Sequence, residues 1–372
     1  MPRSDSSRAL LSLCVAATLL AGCGASQPTI PDPGVAPQAR AKGASSASCP
    51  TAACIYVANA AGRGSITIYP ANATGNVKPY REITGLTNPA GVAVDSRGDV
   101  YASFAECFVI GCIPAPSILV FSATANGDAK PLRTIFGPAT RLGYPLGIAV
   151  DANNDIYAKN TYTIEKHCYV SGHLGGCLQR EYVTVYKPSS QGNVPPIRTL
   201  RGRKTRMFSQ NGGTTVDGLG NLYVVSERMR IGRQRWGEPE ILVYKPGAHG
   251  DIAPSWTIGG SKTGLKSPAG VAVDDIGNVY VTDSQSVFVY ASGARGNVAP
   301  VQTISGSNTE LNGPISVAVA EGNIYVLNAA FASIQNASIT VYAAGASGNV
   351  APIQTIEGSE TGLSLPGQIV VH

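Results

Sequence analysis

Apolar and polar positions alternate along this chain in short runs that recur six times. The pattern is most legible over Ser286–Asn328, SVFVYASGARGNVAPVQTISGSNTELNGPISVAVAEGNIYVLN. A tyrosine flanked by a hydrophobic and a small residue falls at Tyr56, Tyr101, Tyr157, Tyr223, Tyr280 and Tyr325, with gaps of 45, 56, 66, 57 and 45 residues. A second aromatic closes an alternating run at Tyr69, Phe121, Tyr186, Tyr244, Tyr290 and Tyr342. Between the two series lie the turns Gly75-Asn76, Gly127-Asp128, Gly192-Asn193, Gly250-Asp251, Gly296-Asn297 and Gly348-Asn349, each followed by a proline. Each copy reads as four strands. The innermost is a small and β-branched run such as Gly91–Asp95, Gly147–Asp151, Thr214–Asp217 or Gly270–Asp274, suited to burial on both faces. A Gly/Asn/Asp turn, the tyrosine strand, the second aromatic strand and a fourth strand after the proline complete the copy. Helical periodicity is absent.

A period of this length with four strands per unit predicts an all-β chain, a six-bladed β-propeller of four-stranded antiparallel blades. The first copy starts at its tyrosine strand, Cys54–Asn59, without an innermost strand, and the last run, Gly367–His372, is an innermost strand with nothing after it. Pairing the two closes the ring, with the C-terminal strand completing the N-terminal blade and removing two open sheet edges. The composition agrees with one large, turn-rich domain over 49–372: 43 Gly, 25 Pro, 14% charged residues and a net charge of +5.

Arg3 and Arg8 precede a short apolar run, Ala9–Leu20, and then Leu20-Ala21-Gly22-Cys23. A basic flank, a short apolar core and small residues before a cut site describe a secretory signal over 1–22. The Leu-Ala-Gly-Cys ending resembles the lipobox of bacterial lipoproteins. That resemblance implies a lipidated Cys23 as first mature residue, a membrane partner through the lipid, and residence in the bacterial cell envelope. Gly24 in place of Asp favours the outer membrane in that family. Residues 23–48, rich in Gly, Ala, Ser and Pro, read as the lipidated cysteine and a disordered tether.

Six further cysteines form three local pairs: Cys49 and Cys54, Cys107 and Cys112, Cys168 and Cys177. Their even number in an exported chain points to three disulfides. Zinc is the competing reading for the last pair, which His167 and His173 flank.

Relative to the shortest copy, three copies carry 11, 21 and 12 extra residues, mostly between the second and third strands: Phe104–Pro116, Asn160–Arg180 and Glu227–Glu240. Such connections leave a propeller on the same face as those between blades, so three neighbouring blades raise long loops on one side, where binding residues concentrate. The same region is basic. Arg203, Lys204, Arg206, Arg228, Arg230, Arg233 and Arg235, with Trp236 among them, point to an anionic partner: a glycan, a lipid headgroup or an envelope protein. A solvated loop pair whose charges serve solubility is the bland alternative. Export argues against nucleic acid, and a monomer is expected.

The run Pro268–Val281, PAGVAVDDIGNVYV, resembles NHL-type repeats and the wider six-bladed propeller group, over roughly residues 55–372. That group includes binding scaffolds and enzymes, among them lyases and gluconolactonase-like metal hydrolases, the latter holding a divalent cation in the central channel. Residues at the starts of the innermost strands (Ala90, Leu146, Gly212, Ala269, Ile315, Gly367) offer no carboxylate. The ends of the tyrosine strands offer Asn59, Asn160, Asp283 and Asn328, either as an oxygen-ligand ring for calcium or as residues that begin turns. No nucleophile elbow, phosphate loop or catalytic residue stands out, and no cofactor is expected outside the calcium alternative. The sequence thus favours an exported, lipid-anchored binding or scaffold module, with a cation-dependent hydrolase or lyase as its alternative.

Overall fold

Short β-branched runs bounded by Gly, Asn and Pro bury both faces here by stacking radially against similar sheets. The computed structural model describes residues 49–104, 116–163, 179–209, 212–227, 229–231, 234–329 and 336–372. The first strands are β1 (Cys54–Asn59), β2 (Ser65–Pro70) and β3 (Arg81–Ile83). Blade 1 follows with β4 (Pro89–Val94), β5 (Val100–Phe104), β6 (Ser117–Phe121) and β7 (Arg133–Phe136). Blade 2 contains β8 (Tyr144–Val150), β9 (Ile156–Thr163), β10 (Gln179–Tyr186) and β11 (Arg198–Leu200). In blade 3, β12 (Thr214–Val216) and β13 (Leu222–Ser226) are separated from β16 (Glu240–Tyr244) and β17 (Trp256–Gly259) by a two-stranded ribbon, β14 (Met229–Ile231) and β15 (Gln234–Trp236). Blade 4 is β18 (Pro268–Val273), β19 (Val279–Asp283), β20 (Ser286–Tyr290) and β21 (Gln302–Ser305). Blade 5 is β22 (Pro314–Ala320), β23 (Asn323–Asn328), β24 (Ser338–Ala343) and β25 (Gln354–Glu357). Finally β26 (Pro366–Val371) adds antiparallel to β1, pairing Ile55 with Val371 and Val57 with Ile369, and completes blade 6 in the order β26-β1-β2-β3. The innermost strands touch their neighbours all the way round, from β4 through β8, β12, β18, β22 and β26 back to β4. The molecule is a six-bladed all-β propeller.

Its apolar core is six seams between blades instead of one centre. Val225, Ile241 and Ile258 of blade 3 meet Val271, Val281 and Tyr290 of blade 4, and the other five seams follow the same plan. Two repeated devices lock the seams. The glycine of each Gly-Asn/Asp turn donates its N–H to the outermost strand of the preceding blade, as from Gly296 to Thr257 O at 2.6 Å, in all six blades. The second aromatic donates its hydroxyl to a threonine carbonyl in the connection entering its own blade, as from Tyr186 to Thr140 O and from Tyr290 to Thr263 O, both at 2.7 Å. Tyr69, Tyr244 and Tyr342 do the same to Thr361, Thr205 and Thr309. The one blade with phenylalanine there, Phe121, is entered through Thr84–Asn88, which presents no such buried threonine. Burial and the missing hydroxyl are thus matched within the repeat.

The closure carries a covalent brace. Cys49 and Cys54 form a disulfide, and Cys54 exchanges both backbone hydrogen bonds with His372, at 2.8 and 3.0 Å. The Cys107, Cys112, Cys168 and Cys177 pairs, His167, His173 and the lipidation candidate Cys23 lie outside the described residues. Closing a six-residue loop stabilises by about 2 kcal/mol on the loop-entropy estimate. Cys49→Ala is therefore expected to lower the urea midpoint by about that amount divided by the m-value, and an unchanged midpoint would show that the brace adds nothing to the paired strands.

Candidate functional site

In this fold the second-to-third connection and the connection between blades emerge together, and here they are tied by hydrogen bonds. Asn59 Oδ1 accepts the N–H of Ser364 (3.0 Å), Asn160 that of Gly143 (3.1 Å) and Asn328 that of Asn312 (3.1 Å). One oxygen of Asp283 accepts from Lys266 and Ser267 (2.7 and 3.0 Å), and the other from Ser284 Oγ (2.9 Å). The amide nitrogens of the three asparagines donate back into their own blade, to Val57, Ala158 and Val326 and to Thr67, Thr184 and Thr340. The four recurring oxygen side chains thus pin the interblade connections and do not present a ring of ligands to a cation. Of the two sequence readings, the turn-initiating one describes their geometry.

The channel fits a cation no better. Its cavity, about 160 Å³, is walled by residues such as Val92, Ile148, Val271, Val317 and Ile369, with no acidic or histidine side chain among its lining. At the mouth on the loop face the innermost strands approach too closely for side chains. A Cβ on Gly147 would lie 1.9 Å from the Gly212 carbonyl oxygen, one on Gly213 2.2 Å from that of Ala269, and one on Gly367 2.2 Å from that of Ala90. Gln368 reaches across, accepting from Val92 N and Ile148 N (3.3 and 3.2 Å) and donating to Ile148 O (3.0 Å). Among the described residues no three His, Cys, Asp or Glu side chains converge as a metal centre.

The loop face over blades 2 and 3 is built differently. Glu227 N donates to Phe208 O at 2.5 Å, and Ser226 Oγ to Arg206 O at 3.1 Å. Gly237 (φ 70°) sits where a Cβ would lie 2.2 Å from Glu227 O. These contacts clamp the β14–β15 ribbon by its base to the connection that carries Arg203, Lys204 and Arg206. Arg203 and Lys204 are exposed. Arg206 is engaged through one nitrogen: it lies 2.6 Å from both oxygens of Glu240, whose buried carboxyl is pushed above its ordinary value by desolvation that Arg206 partly offsets. In the ribbon, backbone pairing sets Met229 opposite Trp236 and Arg230 opposite Arg235. Arg228 and Arg233 lie outside the described residues. Two neighbouring cations are also engaged. Arg201 lies over the rings of Tyr162 and Tyr182, its central carbon 4.3 and 5.1 Å from their centroids. Arg198 bonds Tyr157 and Asp155, at the end of blade 2 away from the loop face.

Beneath this face lies a buried charge cluster that sequence reasoning missed. Lys159 Nζ stands 2.8 Å from Glu181 Oε1, both side chains fully buried in the seam between blades 2 and 3. Charge attraction holds the contact, and among the described residues no donor other than Lys159 reaches the Glu181 oxygens. Burial pushes the Glu181 carboxyl up to about 8, Lys159 opposes the shift, and the nearby Glu227 adds to it. Glu227 in turn accepts from Ser209 Oγ at 2.7 Å. A signal was present within the repeat: Lys159 occupies the position filled by Ala58, Ser103, Val225, Thr282 and Leu327 in the other blades. Likewise Glu240 stands where Ser65, Ser117, Ser286 and Ser338 begin the third strand. Departures from the repeat gather at one seam.

No family model matches the sequence, and no curated protein matches it. Several solved structures are similar to it. Aldose sugar dehydrogenase from Streptomyces coelicolor, in its PQQ-bound form, is similar with a TM-score of 0.44 and 17% identity over 73% of this chain and 81% of that one. A protein from Lactobacillus plantarum is similar with a TM-score of 0.49 and 13% identity, over 86% of this chain and 99% of that one. The WD40 β-propeller domain of Doa1 gives a TM-score of 0.47 and 11% identity, over 84% and 81%.

Proposed function

We propose that this propeller is an exported, lipid-anchored binding or scaffold module of a bacterial cell envelope, and that its loop face over blades 2 and 3 takes an anionic partner. One observation supports this above the rest: two basic connections, one carrying Arg203 and Lys204 and the other the β14–β15 ribbon, are tied together at Phe208, Glu227 and Gly237. Loops held rigidly at their bases lose less entropy on binding. The NHL-type character of the repeat and the envelope address rest on the sequence motifs alone. An unmodified propeller displaying these loops would bind polyphosphate, and binding would weaken steadily as salt rises from about 0.01 M to about 1 M, where the screening length falls from about 30 Å to about 3 Å. Arg203→Gln/Lys204→Gln is expected to flatten that dependence. Salt-insensitive binding, or none, would count against an anionic partner. For the anchor, Cys23→Ser should move the protein from the membrane fraction to the soluble one, and continued membrane retention would refute lipidation.

A further inference from the structure

We propose that the end of the disc opposite the loop face docks on the phospholipid bilayer that carries the anchor, so that the loop face points away from that membrane; this rests on the lipid-anchor reading above and adds an orientation to it. Strand registers fix which residues share that end. In blade 1 Val94 pairs with Val100, Val100 with Phe121 and Val120 with Arg133, which sets the first-to-second hairpin beside the start of the fourth strand. The other blades repeat the arrangement. The residue just before each fourth strand lies at this end, and its backbone is tied to the third strand, as from Leu132 N to Val120 O and from Val301 N to Val289 O. Tyr80, Leu132, Ile197, Val301 and Ile353 hold that position in five blades, with 40–60% of each exposed. Blade 3 has Ser255 there and offers Leu219 instead, 81% exposed at the tip of its hairpin. Ile276 occupies the same hairpin position in blade 4 and is 74% exposed. Single exposed apolar residues are ordinary, but at least one from every blade on the same end makes a surface.

The polypeptide enters the disc at this end as well. Cys49 is bridged to Cys54, which pairs with Pro70 and with His372. The sequence puts 25 residues, Gly24–Ser48, between Cys23 and Cys49. A flexible linker of that length spans about 25–30 Å on average. A lipid on Cys23 thus keeps the apolar end close to the bilayer, where its side chains gain by leaving water for the interface. At the hairpins and the ends of the third strands the exposed charges are Arg97, Lys187, Lys245, Asp275 and Glu321. Neither sign dominates, so the contact is led by apolar side chains and does not call for anionic lipid. The anionic partner of the loop face is then something other than the headgroups of the anchoring membrane.

Tryptophan fluorescence of the full-length protein, reconstituted in phosphatidylcholine vesicles with brominated acyl chains as quencher, tests this. Leu132→Trp and Ile276→Trp report the docked end, and Phe136→Trp reports the loop end; all three sites are exposed, and an unchanged melting temperature checks each variant. The parent protein supplies the background from Trp236 and Trp256. Apolar side chains at a bilayer interface sit near the acyl boundary, so the emission added by Leu132→Trp and by Ile276→Trp should fall about twofold or more in brominated vesicles. The emission added by Phe136→Trp should stay unchanged. Adding Leu219→Asn and Ile353→Asn to Leu132→Trp should weaken its quenching. Protein that stays on the vesicles without quenching at Leu132→Trp and Ile276→Trp overturns the docking face and leaves the anchor standing. Equal quenching at both ends overturns the orientation. Protein that does not stay on the vesicles overturns the anchor reading and the orientation with it. A blue shift at Leu132→Trp and Ile276→Trp that appears in lipid-free detergent solution as protein concentration rises makes a second copy of the chain the occupant, and overturns the proposal.

Discussion

A chain ending at Leu365 is expected to lose the single steep unfolding transition of the full chain. The deletion removes β26, and with it the inner edge of blade 6, the pairing of Ile55, Tyr56 and Val57 with Val371, Val370 and Ile369, and the exchange between Cys54 and His372. It also removes Gln368, which ties blade 6 to the innermost strands of blades 1 and 2. Each hydrogen bond contributes about 1 kcal/mol and burial of Ile369 roughly 2 kcal/mol. Several such losses together approach the 5–15 kcal/mol that holds a typical domain folded. The truncation also bares β1 and β4 to solvent along the ring's former closure, an invitation to edge pairing. Urea denaturation followed by circular dichroism reads the outcome. A truncated chain that melts like the parent would show that the ring does not depend on its last strand.

The second large effect concerns the buried pair. Lys159→Met leaves Glu181 in the seam without its counter-charge and should cost about 3–5 kcal/mol at pH 8. Glu181→Leu added to it should restore most of that loss, because a buried ion pair replaced by apolar side chains of similar volume is often close to neutral. The pH dependence has a definite sign. The folded chain keeps a proton on Glu181 up to about 8, whereas the unfolded chain releases it near the ordinary 4.5. Between those values the folded state binds more protons, so the contribution of Glu181 to stability is present at low pH and is lost as pH rises through the window. The cost of Lys159→Met should accordingly be smaller at pH 5 than at pH 8. A larger cost at pH 5, or a double variant no more stable than the single one, would contradict the pair.

Much of the fold is legible in the residues themselves because the repeat states each device six times. The tyrosines, the Gly-Asn turns and the orphan strand at Gly367–His372 give blade count, strand order and closure, and all three are realised. A fourth long connection, between Asn328 and Ser338, shows only in the spacing within its copy, 17 residues from Tyr325 to Tyr342 against 10 from Tyr280 to Tyr290, and not in the spacing from tyrosine strand to tyrosine strand. The site is less legible. A sequence displays the charge of Arg206 but not Glu240, which lies 34 residues away and reaches it only across the folded blade. Asn59, Asn160, Asp283 and Asn328 look like ligands because oxygen side chains serve cations and turns alike, and only their hydrogen bonds separate the two uses. Lys159 and Glu181 meet diagonally across β9 and β10, so their pairing depends on a register that spacing does not supply.

Function is assigned here to one face of the disc, and hydrogen–deuterium exchange of the full-length protein with and without polyphosphate tests that assignment most directly. Slowed exchange is expected in Arg203–Ser209 and Met229–Trp236, with the channel strands β12 and β18 and the turns Asp95–Asp99 and Asp274–Asn278 unchanged. Protection centred on the channel strands or on those turns, with the basic connections unaffected, would place the working surface elsewhere.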